Sequence, residues 1–92
     1  MAEAQTLVFG EKKLTETNKP QKITEESQIL TGLSVKAFST NPGTVRVGPS
    51  TVDGKGYPLA KSESIEFDVI DATRVYIWGT ENEGVNWLGL KP

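Results

Sequence analysis

A chain of 92 residues with a formal charge of -2 and neither cysteine nor histidine excludes several function classes at once. One small domain with a compact core is what such a length supports, because a short chain hides only a modest share of its apolar surface. Disulfide frameworks, the usual zinc, copper and haem-iron ligands, and the clustered basic residues that draw a protein to nucleic acid are all missing, so the expectation is no cofactor, no metal and no nucleic-acid partner.

The N-terminus, Met-Ala-Glu-Ala-Gln-Thr-Leu-Val-Phe, has no basic n-region and no apolar run suited to a signal peptide or membrane span. The chain is therefore expected to be made in a cytoplasm and to have no membrane partner. Leu7, Val8 and Phe9 form one apolar cluster, followed by Gly10 and a polar stretch to Lys19 in which only Leu14 is apolar. Residues 1–19 read as an arm. Either it frays in solution, or, since Leu7 and Phe9 alternate as in a strand, it adds an edge strand to a neighbour.

From Pro20 to the end, residues 20–92 carry β-branched and aromatic residues at period two, broken by Gly, Pro, Asn and Asp, the pattern of strands joined by turns. Ile23 marks a first short strand. Leu33, Val35 and Ala37 share one face of a second, from about Gln28 to Ser39. Thr40-Asn41-Pro42-Gly43 is a turn, since Pro fixes φ and Gly accepts positive φ. Val45 and Val47 alternate with polar neighbours, a second turn cluster runs from Gly48 to Gly56, and Tyr57 and Leu59 follow.

Ile65, Phe67 and Val69 alternate with Ser64, Glu66 and Asp68 as a half-buried strand should. Arg74 to Trp78 is apolar on both faces, Gly79 to Gly84 is a loop, and Val85, Trp87 and Leu88 form a last strand, hairpin-paired with the one before it. No window carries a helical apolar stripe, and nine glycines with five prolines interrupt the chain too often for long helices. The fold expected is all-β: a small single-domain antiparallel sandwich or barrel of six to eight strands with an N-terminal arm.

Without histidine, serine–histidine nucleophile systems are excluded. Glu25-Glu26, Asp68 with Asp71, and Glu81 with Glu83 are the carboxylate pairs that acid–base chemistry on a glycosidic bond would need, but turns and outward strand faces are where solvated carboxylates ordinarily sit. The loop from Gly48 to Gly56 has one residue too many for a phosphate-binding loop, and Gly56 stands where a Ser or Thr should hold magnesium. Asp53 alone is a weak calcium ligand. The expectation is therefore no enzyme. Tyr76, Trp78 and Trp87 offer a candidate aromatic interface, suited to a subunit contact or to stacking on sugars, unless both strand faces are buried in the sandwich.

Val45-Arg46-Val47-Gly48, then Val52, Gly56-Tyr57-Pro58-Leu59-Ala60, Glu63-Ser64-Ile65 and Arg74-Val75-Tyr76-Ile77-Trp78-Gly79 resemble a pattern in small structural proteins of tailed bacteriophages. In that pattern a strand leads to a "G-x-P-L-x-P-G-E-S" turn, a second strand, an aspartate-rich corner and a "V-Y-V" strand. The resemblance covers residues 28 to 88 and departs at Lys61-Ser62, where it favours Pro-Gly. It implies a non-enzymatic virion component, assembled in the host cytoplasm, that decorates the capsid exterior or forms a head fibre. The partner implied is the major capsid protein or another virion protein, and the assembly a homotrimer. On this reading Leu7, Val8 and Phe9 contact capsid or a neighbouring subunit. The other reading is a receptor- or carbohydrate-binding module of a fibre or adhesion assembly.

Overall fold

Alternating apolar residues build the regular structure almost entirely from strands. The computed structural model describes residues 6–92 and contains β1 (Thr6–Lys13), β2 (Gln21–Lys22), β3 (Ile29–Leu30), β4 (Gly32–Ala37), β5 (Val45–Gly48), β6 (Tyr57–Leu59), β7 (Ser64–Phe67), β8 (Ile70–Asp71), β9 (Tyr76–Trp78) and β10 (Gly84–Lys91). One sheet runs in the order β1-β10-β4-β7, a second in the order β2-β9-β5-β6, and β3 and β8 form a small separate ladder. All pairings are antiparallel. Neither sheet closes on itself, so the architecture is an all-β sandwich and not a barrel. The strand count exceeds the six to eight expected because β2, β3 and β8 are ladders of two residues each.

Each long strand buries alternate side chains, as the pleat requires. Leu33, Val35 and Ala37 of β4, with Val85 and Trp87 of β10 beside them in the same sheet, face Val45 and Val47 of β5 and Ile77 of β9 across one shared core, joined by Ile23, Leu30, Leu59, Ala72 and Val75. Removing such side chains from water stabilises the fold by roughly 1.5–3 kcal/mol each.

From Thr6 onward, the segment read as an arm is instead part of this core domain. Its first five residues lie outside the described residues. Thr6–Lys13 pairs along its whole length with Lys91–Gly84 of the same chain. Leu14, the single apolar residue of the polar stretch, is 1% exposed. Its N–H donates to Glu83 O at 2.8 Å, its carbonyl accepts from Asn82 N at 2.9 Å, and Asn18 N donates to Gly79 O at 2.8 Å. One buried leucine and these bonds hold residues 14–18 against the loop that leads from β9 to β10.

That loop also corrects the hairpin expected between the last two strands. β9 pairs with β2 and β5, whereas β10 pairs with β1 and β4, so the chain crosses from one sheet to the other between Gly79 and Glu83. Glu83, 2% exposed, secures the crossing: its carboxylate accepts from Gly43 N at 2.7 Å and from Thr80 N at 2.9 Å. Buried Asn41 does the same for β10, donating to Gly84 O at 3.0 Å and accepting from Gly84 N at 3.1 Å. Backbone groups hidden from water must find partners, and here side chains supply them.

Two further details differ from the sequence pattern. The strand expected through Val69 stops at Phe67, and Val69 stands exposed in a bend before Ile70 returns to the core. The long strand expected from Gln28 to Ser39 breaks at Thr31, because Ile29 and Leu30 pair with β8 in a sheet of their own.

Candidate functional site

The first sheet presents an apolar area to solvent. Along β1 the side chains of Val8 and Lys12 and the Cα of Gly10 are turned inward, while the side chains of Leu7, Phe9, Glu11 and Lys13 face outward. Gly10 lies over the buried indole of Trp87, its cross-strand partner. Leu7 stands opposite Leu90, and Phe9 opposite Leu88. All four point away from the core, with exposures of 63% for Leu7, 82% for Phe9, 49% for Leu88 and 38% for Leu90. Two aliphatic–aliphatic and aromatic–aliphatic cross-strand pairs thus form one patch at one end of the sheet. Beside them a shallow groove of about 380 Å³ runs over Gly32, Ser34 and Glu66. Contiguous apolar side chains of this kind on a sheet face mark interaction sites more often than isolated ones do.

The candidate arm residues are therefore split by the pleat. Leu7 and Phe9 reach the surface, and Val8 packs against the core. The candidate aromatic residues do not share one face. Trp87, 6% exposed, belongs to the core side of the first sheet, and its buried indole N–H has no hydrogen-bond partner among the described residues. Tyr76 and Trp78 lie on the outer face of the second sheet, since Ile77 between them is wholly buried. Trp78 is half-buried against Gly54, whose φ of 98° is one that side chains rarely adopt. Arg46, opposite Trp78 in the ladder, donates from Nη1 to Gly56 O at 3.2 Å. The Gly48–Gly56 loop is in this way folded onto buried Val52 and Trp78.

The carboxylates considered for catalysis do not converge. Glu83 is the buried latch described above. Asp71 caps the 3-10 turn Ala72–Arg74, accepting from Thr73 N at 3.0 Å, Thr73 Oγ1 at 2.9 Å and Ser27 Oγ at 3.0 Å. The Thr73 backbone bond first, and then its hydroxyl, hold this carboxyl below its ordinary value of 3.8, against the opposing effect of desolvation. Among the described residues no group of three or more His, Cys, Asp or Glu is placed to hold a metal ion, and no helix is long and apolar enough to cross a membrane.

Leu88 and Leu90 are the surface residues that sequence reasoning missed. The signal was present: with Val85 and Trp87 inward, period two sends Asn86, Leu88 and Leu90 outward. Apolar character alone puts Val85, Trp87 and Leu88 in one strand without separating its two faces. Comparison with protein-family models, with curated proteins and with solved structures finds no match.

Proposed function

We propose that this chain is a non-enzymatic binding domain that attaches to a protein assembly through the outer face of its first sheet. The observation that carries the reading is the patch formed by Leu7, Phe9, Leu88 and Leu90, held on paired strands of a fixed sandwich. Side chains carried on an already paired backbone need no backbone ordering on docking, so a modest contact repeated on a lattice binds well through many equivalent sites. The likeness of residues 28–88 to small phage virion proteins supports a capsid surface as that assembly, with the major capsid protein as the partner and the particle exterior as the location. Co-sedimentation with assembled shells of the phage that carries this sequence tests it. Wild-type chain pelleting with shells, and a folded Leu88→Ser chain left in the supernatant, is the expected outcome; wild-type chain that stays in the supernatant refutes the proposal.

The second reading, a glycan-binding module, draws on Tyr76 and Trp78 lying together, half-exposed, on the opposite sheet. Aromatic faces of this kind stack on sugars. Quenching of tryptophan fluorescence by a glycan, lost in Trp78→Ala, is its signature.

A further inference from the structure

Among the described residues, the two four-stranded sheets end in the edge strands β1, β7, β2 and β6. Three are blunted. β2 has two residues, β7 has four, and β6 has three and includes Pro58; short edge strands and proline are ordinary means by which β proteins avoid adding strands. β1 has eight residues, and charge guards only its second half, Glu11, Lys12 and Lys13. Thr6–Gly10 carries no charge, no proline and no bulge against β10.

The ladder fixes which backbone groups of β1 are free. Leu14 N donates to Glu83 O in continuation of the β1–β10 register, and Phe38 N donates to Gly84 O from the β4 side. The even residues of β1 therefore exchange bonds with the odd residues of β10, since bonded and non-bonded pairs alternate. The N–H and C=O groups of Leu7, Phe9, Glu11 and Lys13 point away from the sheet, and no partner for them occurs among the described residues.

We propose that a second copy of the chain completes this edge, β1 pairing antiparallel with β1 of its partner about a two-fold axis at Val8. The outward groups require odd residues to meet odd residues, which leaves a short set of axes. An axis at Glu11 sets Glu11 against itself. One at Lys12 matches Glu11 with Lys13 but faces Lys12 with itself and leaves Leu7 and Phe9 unpaired. One at Gly10 sets Phe9 opposite Glu11 and Leu7 opposite Lys13, and one at Phe9 sets Leu7 opposite Glu11. One at Leu7 pairs only Thr6–Val8 within the described strand.

The axis at Val8 pairs Thr6–Gly10 with its symmetry copy. Leu7 meets Phe9 of the partner subunit, and Phe9 meets the partner's Leu7, so apolar side chains face apolar ones in both directions. The charged half of each strand stays clear of its counterpart. Such a contact is isologous and closes at two copies, which replaces the trimer implied by the phage-like motif. Two four-stranded sheets become one of eight, and the patches on the two outer faces merge across the axis.

The contact is short, so the dimer forms at micromolar to millimolar concentration, and sedimentation equilibrium in buffer alone measures it. Because no shell is needed, its failure leaves the attachment proposal untouched. Expected are a concentration-dependent monomer–dimer mass and, in Leu7→Pro, dimerisation weaker by on the order of tenfold with an unchanged circular dichroism spectrum, since that N–H has no partner among the described residues. In a chain without cysteine, register is read directly by cross-linking. An equimolar mixture of Leu7→Cys and Phe9→Cys chains is expected to form disulfide-linked pairs under mild oxidation far faster than either variant alone. A monomer up to about 1 mM, a trimer, or equal self-linking by either single variant overturns the proposal.

Discussion

Gly10 and Trp87 face each other across the β1–β10 ladder, and a Cβ at Gly10 would stand 2.7 Å from three atoms of the indole ring. The tryptophan fills the space a side chain would need. This contact seats β1 on the core, and with it the orientation of Leu7 and Phe9.

Gly10→Val is accordingly expected to push β1 or the indole out of place. Overpacking of this kind costs about 1–3 kcal/mol. Urea unfolding followed by tryptophan emission checks it: a lower midpoint and a red-shifted native spectrum are the expected result.

Leu14 separates an arm from an integral strand. Leu14→Ala removes a side chain that is 1% exposed, for an expected loss of roughly 2–5 kcal/mol. A free arm would leave the denaturation midpoint unmoved.

Much of this was legible in the sequence. Period two in Leu33, Val35 and Ala37, and in Val45 and Val47, predicts their common core face, and the structure buries all five. The breaks at Thr40–Gly43 and Gly79–Gly84 were equally readable, since turn residues act locally, although β10 already begins at Gly84. The pairing of strands was not. β1 finds its place through Trp87 and Leu14, and β10 pairs with a strand more than seventy residues away, contacts that no local pattern encodes. The patch was half-visible: Leu7 and Phe9 stood out as alternating apolar residues, but only the register shows Leu88 and Leu90 beside them.

Glu83→Gln tests the latch between the sheets. Whichever way the amide turns, one of the N–H groups of Gly43 and Thr80 loses its acceptor, at an expected cost of about 1–3 kcal/mol. Thermal unfolding at neutral pH reads it out.

Asp71 makes a pH-dependent contribution. Its folded-state pKa is lowered by the bonds from Thr73, so its stabilising effect is present above the ordinary value of 3.8 and is lost as pH falls through the lower folded value. Asp71→Asn should remove that part of the acid limb. Melting temperature plotted against pH is then expected to fall less steeply below pH 3.8 in the variant than in the wild type.

Phe9→Ser and Leu88→Ser alter only outward positions. Each is expected to change folding stability by no more than about 0.5 kcal/mol while weakening contact with a partner. Parallel measurements of urea midpoint and shell binding separate the two effects.

Amide hydrogen exchange along Thr6–Lys13, measured by NMR in dilute solution, tests most directly the claim that this segment is a fixed edge strand with one side open. Protected amides at Val8, Gly10 and Lys12 alternating with fast-exchanging ones at Leu7, Phe9, Glu11 and Lys13 are the predicted result. Uniformly fast exchange over the whole segment would contradict it.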